Sequence, residues 1–267
     1  MSMPRDLARL LLDALFPPRC VGCGASGALL CASCLAGASA PTPPLCPLCG
    51  RSVAPGGGEA ICSICAAGHR PVALVGLRVA ADHDGAIRTA MLVFKYRGRK
   101  RLAEPLGDLL AAELSRWNLA PDLIIAIPLH ARRRRERGYN QADLLARRCA
   151  SRLGVPYLRD ALIWRRETPP QVGLSAEERR ANVRDAFALA HPRLTAALAG
   201  KRIVLVDDVT TTGSTLDAAA AALLSAGPAA VYGLAVARPS LRDDNTPYDT
   251  RRIATPARAD AGKPGRA

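Results

Sequence analysis

Two stretches carry residue types that do chemistry. Eight of the nine cysteines fall in four C-x-x-C pairs: Cys20/Cys23, Cys31/Cys34, Cys46/Cys49 and Cys62/Cys65. Each pair can form a knuckle that turns two sulfurs toward one ion. Thiolates at this spacing favour tetrahedral zinc with four sulfurs per metal, so four pairs predict two structural Zn²⁺ sites. The competing readings of the same thiols are a disulfide framework, iron–sulfur ligation and a redox dithiol. Disulfides belong to oxidising compartments, and four copies are too many for one redox pair. Spacing leaves open whether neighbouring pairs share an ion or interleave. Gly22, Gly24 and Gly50 follow the thiols closely and allow tight knuckles. His69 reads as a surface residue and Cys149 as a buried apolar one.

The second stretch is VLVDDVTTTGST, residues 204–215. An apolar strand ends on two carboxylates, and a loop of small hydroxyl residues leads into a helix. Ligands of open α/β sheets bind at the carboxyl ends of strands. Small residues let backbone N–H groups approach a ligand, hydroxyls add donors, and a helix N-terminus favours an anion. Thr210, Thr211, Thr212, Gly213, Ser214 and Thr215 therefore read as a phosphate cradle, though not a P-loop. Asp207 and Asp208 would repel a second phosphate beside it. They would accept hydrogen bonds from sugar hydroxyls or hold Mg²⁺. The combination describes a 5-phosphorylated ribose. The bland alternative is a polar strand end capping the next helix.

The elements that must position these groups follow from pattern. Continuous apolar runs at 72–80, 122–128, 202–208 and 230–237 read as buried strands. Segments 85–98, 101–117, 140–154 and 214–227 read as helices, the last opening on Ser or Thr and closing on Gly. Strands alternating with helices predict a parallel sheet covered on both faces. The expected organisation is an amphipathic helix at 1–17, a cysteine-rich module at 18–70, an α/β domain at 71–238 and a disordered basic tail at 239–267. The module is poor in aromatics, so metal rather than an apolar core should hold it. Chelation is then expected to unfold the front end alone.

The chain has 267 residues and a formal net charge of +14, which favours an anionic partner: nucleic acid, a phosphorylated small molecule or an acidic surface. Residues 5–16, RDLARLLLDALF, read as an amphipathic helix rather than a secretory signal, and no run is long enough to span a membrane. The expected location is cytoplasmic.

The string D-D-x-x-T-T-G-x-T after an apolar strand resembles the signature of type I phosphoribosyltransferases. The resemblance implies that Asp207 and Asp208 bind the ribose hydroxyls of 5-phosphoribosyl-1-pyrophosphate (PRPP), and that residues 210–215 bind its 5′-phosphate. LFPPRCVGCG (15–24), FKYRGRKRLAEPLG (94–107), IPLHARRRRERGYNQADLLA (127–146) and RRETPPQVGLSAEERRANVRDAF (165–187) are similar to the ComF (ComFC) family. That family joins a double zinc ribbon to a phosphoribosyltransferase-like domain. The similarity runs from about residue 10 to 238, with Tyr139 standing where Phe is commoner.

It implies a type I phosphoribosyltransferase-like sheet, PRPP with Mg²⁺, transfer to a nitrogen acceptor, and a link to competence and DNA uptake. The basic stretch after Pro128 reads as a second strand-end loop. It holds five arginines in six residues, 132–137, which an anion would offset or solvent would cover. His130, Arg133 and Arg137 are its pyrophosphate candidates. Thr168, Gln171 and Arg179 belong to an expected lid. The alternative is a non-catalytic protein that binds single-stranded DNA or docks a competence helicase or translocase. Aromatic content of 4% supplies few stacking platforms for a dedicated single-strand binder.

Overall fold

The computed structural model describes residues 13–54, 61–165 and 186–239. Most of the expected N-terminal helix, the tail from 240 onward, and the lid candidates Thr168, Gln171 and Arg179 lie outside them.

The predicted parallel sheet is present. Five strands, β1 (Gly76–Asp82), β2 (Leu123–Ala126), β3 (Tyr157–Leu158), β6 (Arg202–Val209) and β7 (Ala230–Arg238), lie in the order β1-β7-β6-β2-β3, every pair parallel. The central strand β6 shows why its sequence is continuously apolar. Val204 and Val206 enter one core with Phe94, Leu110 and Leu145, while Ile203 and Leu205 enter the opposite core with Leu216 and Leu223. Both faces are covered, so both registers of the strand are apolar.

The first core lies under helices α3 (Gly85–Tyr96), α4 (Ala103–Arg116) and α6 (Gln141–Leu153). Pro105 sits in the first turn of α4, where its missing N–H is not needed. Gly154 closes α6 in the left-handed conformation. The second core lies under α8 (Ser214–Leu224) and a two-stranded antiparallel sheet, β4 (Leu162–Trp164) with β5 (Phe187–Leu189). Among the described residues no helix is long and apolar enough to cross a membrane.

The structure departs from the expected elements in four places. The strand expected at 72–80 begins at Gly76, because the N–H groups of Val72, Ala73 and Leu74 all donate to one oxygen of Asp217 in α8, at 2.8–3.1 Å. Helix α8 opens on Ser214 as expected, with Gly213 as its cap, but ends at Leu224, short of Gly227. β3, β4 and β5, with a short helix α7 (Leu194–Leu198), were not legible at all. The basic stretch after Pro128 is not a loop but a helix, α5 (Ala131–Arg137). His130 caps it by accepting the Arg132 N–H on Nδ1, and Gly138 ends it in the left-handed conformation. Caps at both ends favour the helix over a loop, and Arg132 pairs with Glu136 one turn on, at 3.0 Å.

The front module consists of two similarly built units. In each, a one-bridge hairpin (Arg19 with Ser26, Leu45 with Ser52) carries the first C-x-x-C. A short helix then carries the second: α1 (Ala32–Ala36), capped by Cys31, and α2 (Ser63–Ala66), capped by Cys62. The module does not hang free. Cys20 and Leu30 are buried in the first core with Ile87, Met91 and Phe94, and the Asp82 N–H donates to Ser39 O at 2.8 Å.

The second unit abuts β1 at Gly50, which has φ +71°; a Cβ there would lie 2.4 Å from Leu77 O. Backbone cannot retreat as a side chain can. Gly50→Ala is therefore expected to cost about 3 kcal/mol from left-handed strain plus overlap. That is ~6–12 °C in melting temperature, read by thermal melts of the zinc-loaded protein. An unchanged melting temperature would show that the second unit does not dock rigidly on β1.

Candidate functional site

The eight paired thiols converge in two sets, Cys20/Cys23/Cys31/Cys34 and Cys46/Cys49/Cys62/Cys65, with the sulfurs of each set within 4.8 Å of one another. Neighbouring pairs share a site; they do not interleave. Sulfur–sulfur distances of 3.7 Å (Cys20–Cys34), 3.6 Å (Cys23–Cys31) and 3.5 Å (Cys49–Cys62) are far too long for disulfides. They match the edge of about 3.8 Å that follows from a tetrahedron with metal–sulfur bonds of about 2.3 Å.

The electrostatics agree with a bound dication. Burial raises the thiols of Cys20 and Cys46, yet backbone N–H groups, from Cys31, Cys23 and Gly22 in one case and from Cys62, Cys49 and Leu48 in the other, bring both below the usual range. Their neighbours move the other way. The hydrogen bond with Cys20 raises Cys34, and burial raises Cys49 and Cys65. A divalent cation would favour the thiolate form at Cys34, Cys49 and Cys65, against the burial and thiol contacts that raise them. Both sets fit structural zinc. Cys149 is buried, and burial pushes its thiol up to about 12. His69 is exposed, as its place in the sequence suggests.

At the carboxyl end of the sheet, a cleft of about 770 Å³ gathers Asp207 and Asp208 from β6, Thr211 and Thr215 from the loop and α8, Lys95 from α3, and His130, Arg133 and Arg137 from α5 and its cap. Lys95 Nζ lies 3.0 Å from Asp208 Oδ1, with side chains only 10% and 14% exposed. Asp207 Oδ1 accepts the Asp208 N–H at 2.7 Å. Burial, then the adjacent Asp208 carboxylate, pushes Asp207 up to about 7, against that N–H, Lys95 and Arg133, which pull it down. Two carboxylates this close favour holding one proton until a cation or hydroxyl donors arrive.

The expected hexapeptide cradle is divided. Thr210 is buried, and its N–H is taken by Ala237 O at 3.0 Å, continuing the sheet. Thr211 and Thr215 line the cleft with the aspartates, whereas Thr212, Gly213 and Ser214 line an adjoining groove. Thr212 and Ser214 hydroxyls lie 2.6 Å apart. His130 is tied down: its Nδ1 serves the helix, which leaves Nε2 as the donor of the neutral ring, and the ring stands edge-on to Trp164. Trp164 Nε1 in turn donates to Pro128 O at 2.8 Å, fixing the turn that launches α5.

Three contributors escape a reading of the sequence alone. Lys95, Trp164 and Arg51 meet the site only through the fold. Lys95 sits in FKYRG beside an aromatic, which marks it as a cleft residue only in retrospect. Arg51, from the second thiolate unit, donates to Thr211 O at 3.2 Å.

Comparison with known proteins agrees with this layout. A double zinc ribbon domain matches residues 11–71, and a phosphoribosyl transferase domain matches residues 140–253. The DNA utilization protein YhgH of Escherichia coli O157:H7 is 34% identical over 192 residues, covering 70% of this chain and 81% of that one. This chain belongs to the ComF family. Other relatives of the ComF protein described here carry the family's name more directly. Competence protein F of Haemophilus influenzae is 44% identical over 97 residues, 36% of this chain and 42% of its own. Competence protein ComFC of Bacillus subtilis is 28% identical over 211 residues, covering 75% and 80%. The ComF fold therefore consists of a two-site zinc ribbon packed on a phosphoribosyltransferase-type parallel sheet.

Proposed function

We propose that the cleft binds PRPP with Mg²⁺ and transfers its phosphoribosyl group to a nitrogen nucleophile. The observation that supports this reading is the shared cleft: a carboxylate pair and a hydroxyl-lined loop at a strand end, faced by arginines of α5. In this reading Asp207 and Asp208 hold the ribose, and residues 211–215 receive the 5′-phosphate. Arg133 and Arg137 face the pyrophosphate. The C1–O bond to pyrophosphate breaks, a C1–N bond forms, and the nitrogen gives up its proton. Asp207 and Asp208 would hold Mg²⁺ directly or through water, and the ion would supply charge to offset the leaving pyrophosphate. The chain's own task is to orient the ribose and spread positive charge over the leaving group. His130, with Nδ1 committed to the helix, is a donor toward that group rather than a base.

Calorimetric titration of PRPP with Mg²⁺ into the intact protein tests binding, and pyrophosphate release with candidate nitrogen acceptors tests turnover. Absence of saturable binding would sink the reading. Arg133→Ala separates the two halves of the ligand. It is expected to weaken PRPP about 10-fold, the worth of one charge-assisted hydrogen bond, and to change ribose 5-phosphate less than about 2-fold. Equal losses for both ligands would remove Arg133 from the pyrophosphate side.

A second reading draws on a different observation. Arg132, Arg133, Arg134 and Arg135 are exposed on α5, and Arg137 lies over the half-exposed Tyr96 ring at 5.2 Å. That surface suits a single-stranded nucleic acid, and the relatives' names speak of competence and DNA utilization. An adaptor of this kind would bind DNA with a steep salt dependence and release no pyrophosphate.

A further inference from the structure

Arg51 stands between a zinc knuckle and the ribose-phosphate loop. Its backbone N–H donates to Cys49 Sγ, its carbonyl accepts the Cys46 N–H at 2.8 Å, and its guanidinium donates to Thr211 O at 3.2 Å. A peptide plane carries its C=O and the next N–H on opposite sides. Holding Thr211 O toward the ribbon therefore turns the Thr212 N–H away from it, and fixes the loop's first peptide.

A second link runs through the sheet. Arg238 ends β7 at 3% exposure, close enough to feel the like charge of Arg51 and, against it, the Cys49, Cys62 and Cys65 sulfurs. Its Nε and Nη1 have no hydrogen-bond partner among the described residues. The residue before it, Ala237, accepts the N–H of Thr210. Four thiolates on a divalent ion leave net negative charge in the ribbon. A buried guanidinium offsets that charge from the residue next to the loop's anchor. The same unit is wedged against β1 through Gly50.

We propose that Arg51 is a positioning residue through which the second four-thiolate site shapes the ribose-phosphate loop, with Arg238 balancing the site's charge from β7. Phosphoribosyl binding and metal retention at that site then strengthen each other, since coupling between two sites is reciprocal. The first four-thiolate site has no such contact with the loop among the described residues. This inference rests on the reading of the cleft as a phosphoribosyl site.

The test uses the intact, zinc-loaded protein. Zinc release to a chromophoric chelator is timed with and without saturating PRPP and Mg²⁺, and PRPP affinity is measured by calorimetry. In wild type, PRPP is expected to slow release from one of the two sites about 10-fold and leave the other unchanged. Arg51→Ala is expected to keep both zinc ions, to raise the PRPP Kd about 10-fold, and to lose the ligand's protection of the metal. Arg51→Lys restores part of both effects. Wild-type binding of PRPP with release rates that ignore it would overturn the coupling, as would an Arg51→Ala protein with unchanged Kd. The wild-type release experiment stands even if a variant folds poorly. A wild type that binds no PRPP would instead remove the ribose-phosphate reading, and the coupling with it.

Discussion

Asp207→Asn is expected to weaken PRPP binding at least about 100-fold while leaving the unliganded protein as stable as before, or more so. Asp208→Asn is expected to lose the ligand and stability together. The two aspartates are adjacent, but the fold treats them differently. Asp207 is held above the usual carboxylate range by burial and by Asp208, so its charge strains the empty site. Asparagine keeps its shape and removes that charge. Asp208 is paired with Lys95 at 3.0 Å in a nearly buried contact. Its replacement deprives Lys95 of a carboxylate partner, at about 2 kcal/mol, or ~4–8 °C for a domain of this size. For the ligand, hydrogen bonds from ribose hydroxyls to a charged acceptor are worth about 1.5–3 kcal/mol each, and two of them supply the 100-fold.

The sign of the pH dependence follows. A carboxyl whose folded value lies near 7, above the unfolded value of about 3.9, binds its proton more tightly when folded. Its contribution to stability is present at acid pH and is lost as pH rises from about 4 through 7. The stability difference between wild type and Asp207→Asn, measured by urea melts at pH 5.5 and 7.5, should therefore grow with pH in favour of the variant. A difference independent of pH, or Asp207→Asn binding PRPP like wild type, would take the ribose role from Asp207.

Removal of the metals is expected to destabilise the whole molecule. The sequence suggests a front end that unfolds alone, since residues 20–70 lack the apolar mass for a core. The packing argues for a wider effect: Cys20 and Leu30 belong to the same buried cluster as Ile87, Met91 and Phe94, with Val21, Leu29 and Leu35 packed on it. Releasing the zinc frees these side chains to leave, and the domain loses about 3–5 kcal/mol of packing. The main thermal transition should fall by ~10 °C, and amide exchange should rise in β1 and α3 as well as in residues 20–54. A main transition that stays in place while only the front end is proteolysed would restore the simpler picture.

What the sequence reveals, and what it hides, has a physical pattern. β6 and the loop after it were legible because two independent signals coincide there: a run apolar in both registers and a D-D-x-x-T-T-G-x-T string of carboxylates and small hydroxyl residues. The thiolate sets were legible by spacing, but not their pairing, which depends on where each short helix turns back. Helix α5 was hidden because a run of arginines has no apolar period to betray its winding; its signals were the flanking residues, a capping His130 and a closing Gly138. β3, β4 and β5 are too short to show alternation. Lys95, Trp164 and Arg51 act on groups far away in the chain, and no local pattern announces a contact that tertiary packing creates.

The carboxylate of Asp217 gathers the N–H groups of Val72, Ala73 and Leu74 across 143–145 positions of sequence. During synthesis the ribbons emerge first, and the residue that fastens their junction to the sheet is made about 145 positions later. At about 5–20 residues per second, the junction stays open for roughly 7–30 s after it leaves the ribosome. Through that interval the thiols stand exposed, before the sheet that buries Cys20 exists. A nascent chain halted before α8 should therefore carry the ribbons on an unfastened arm.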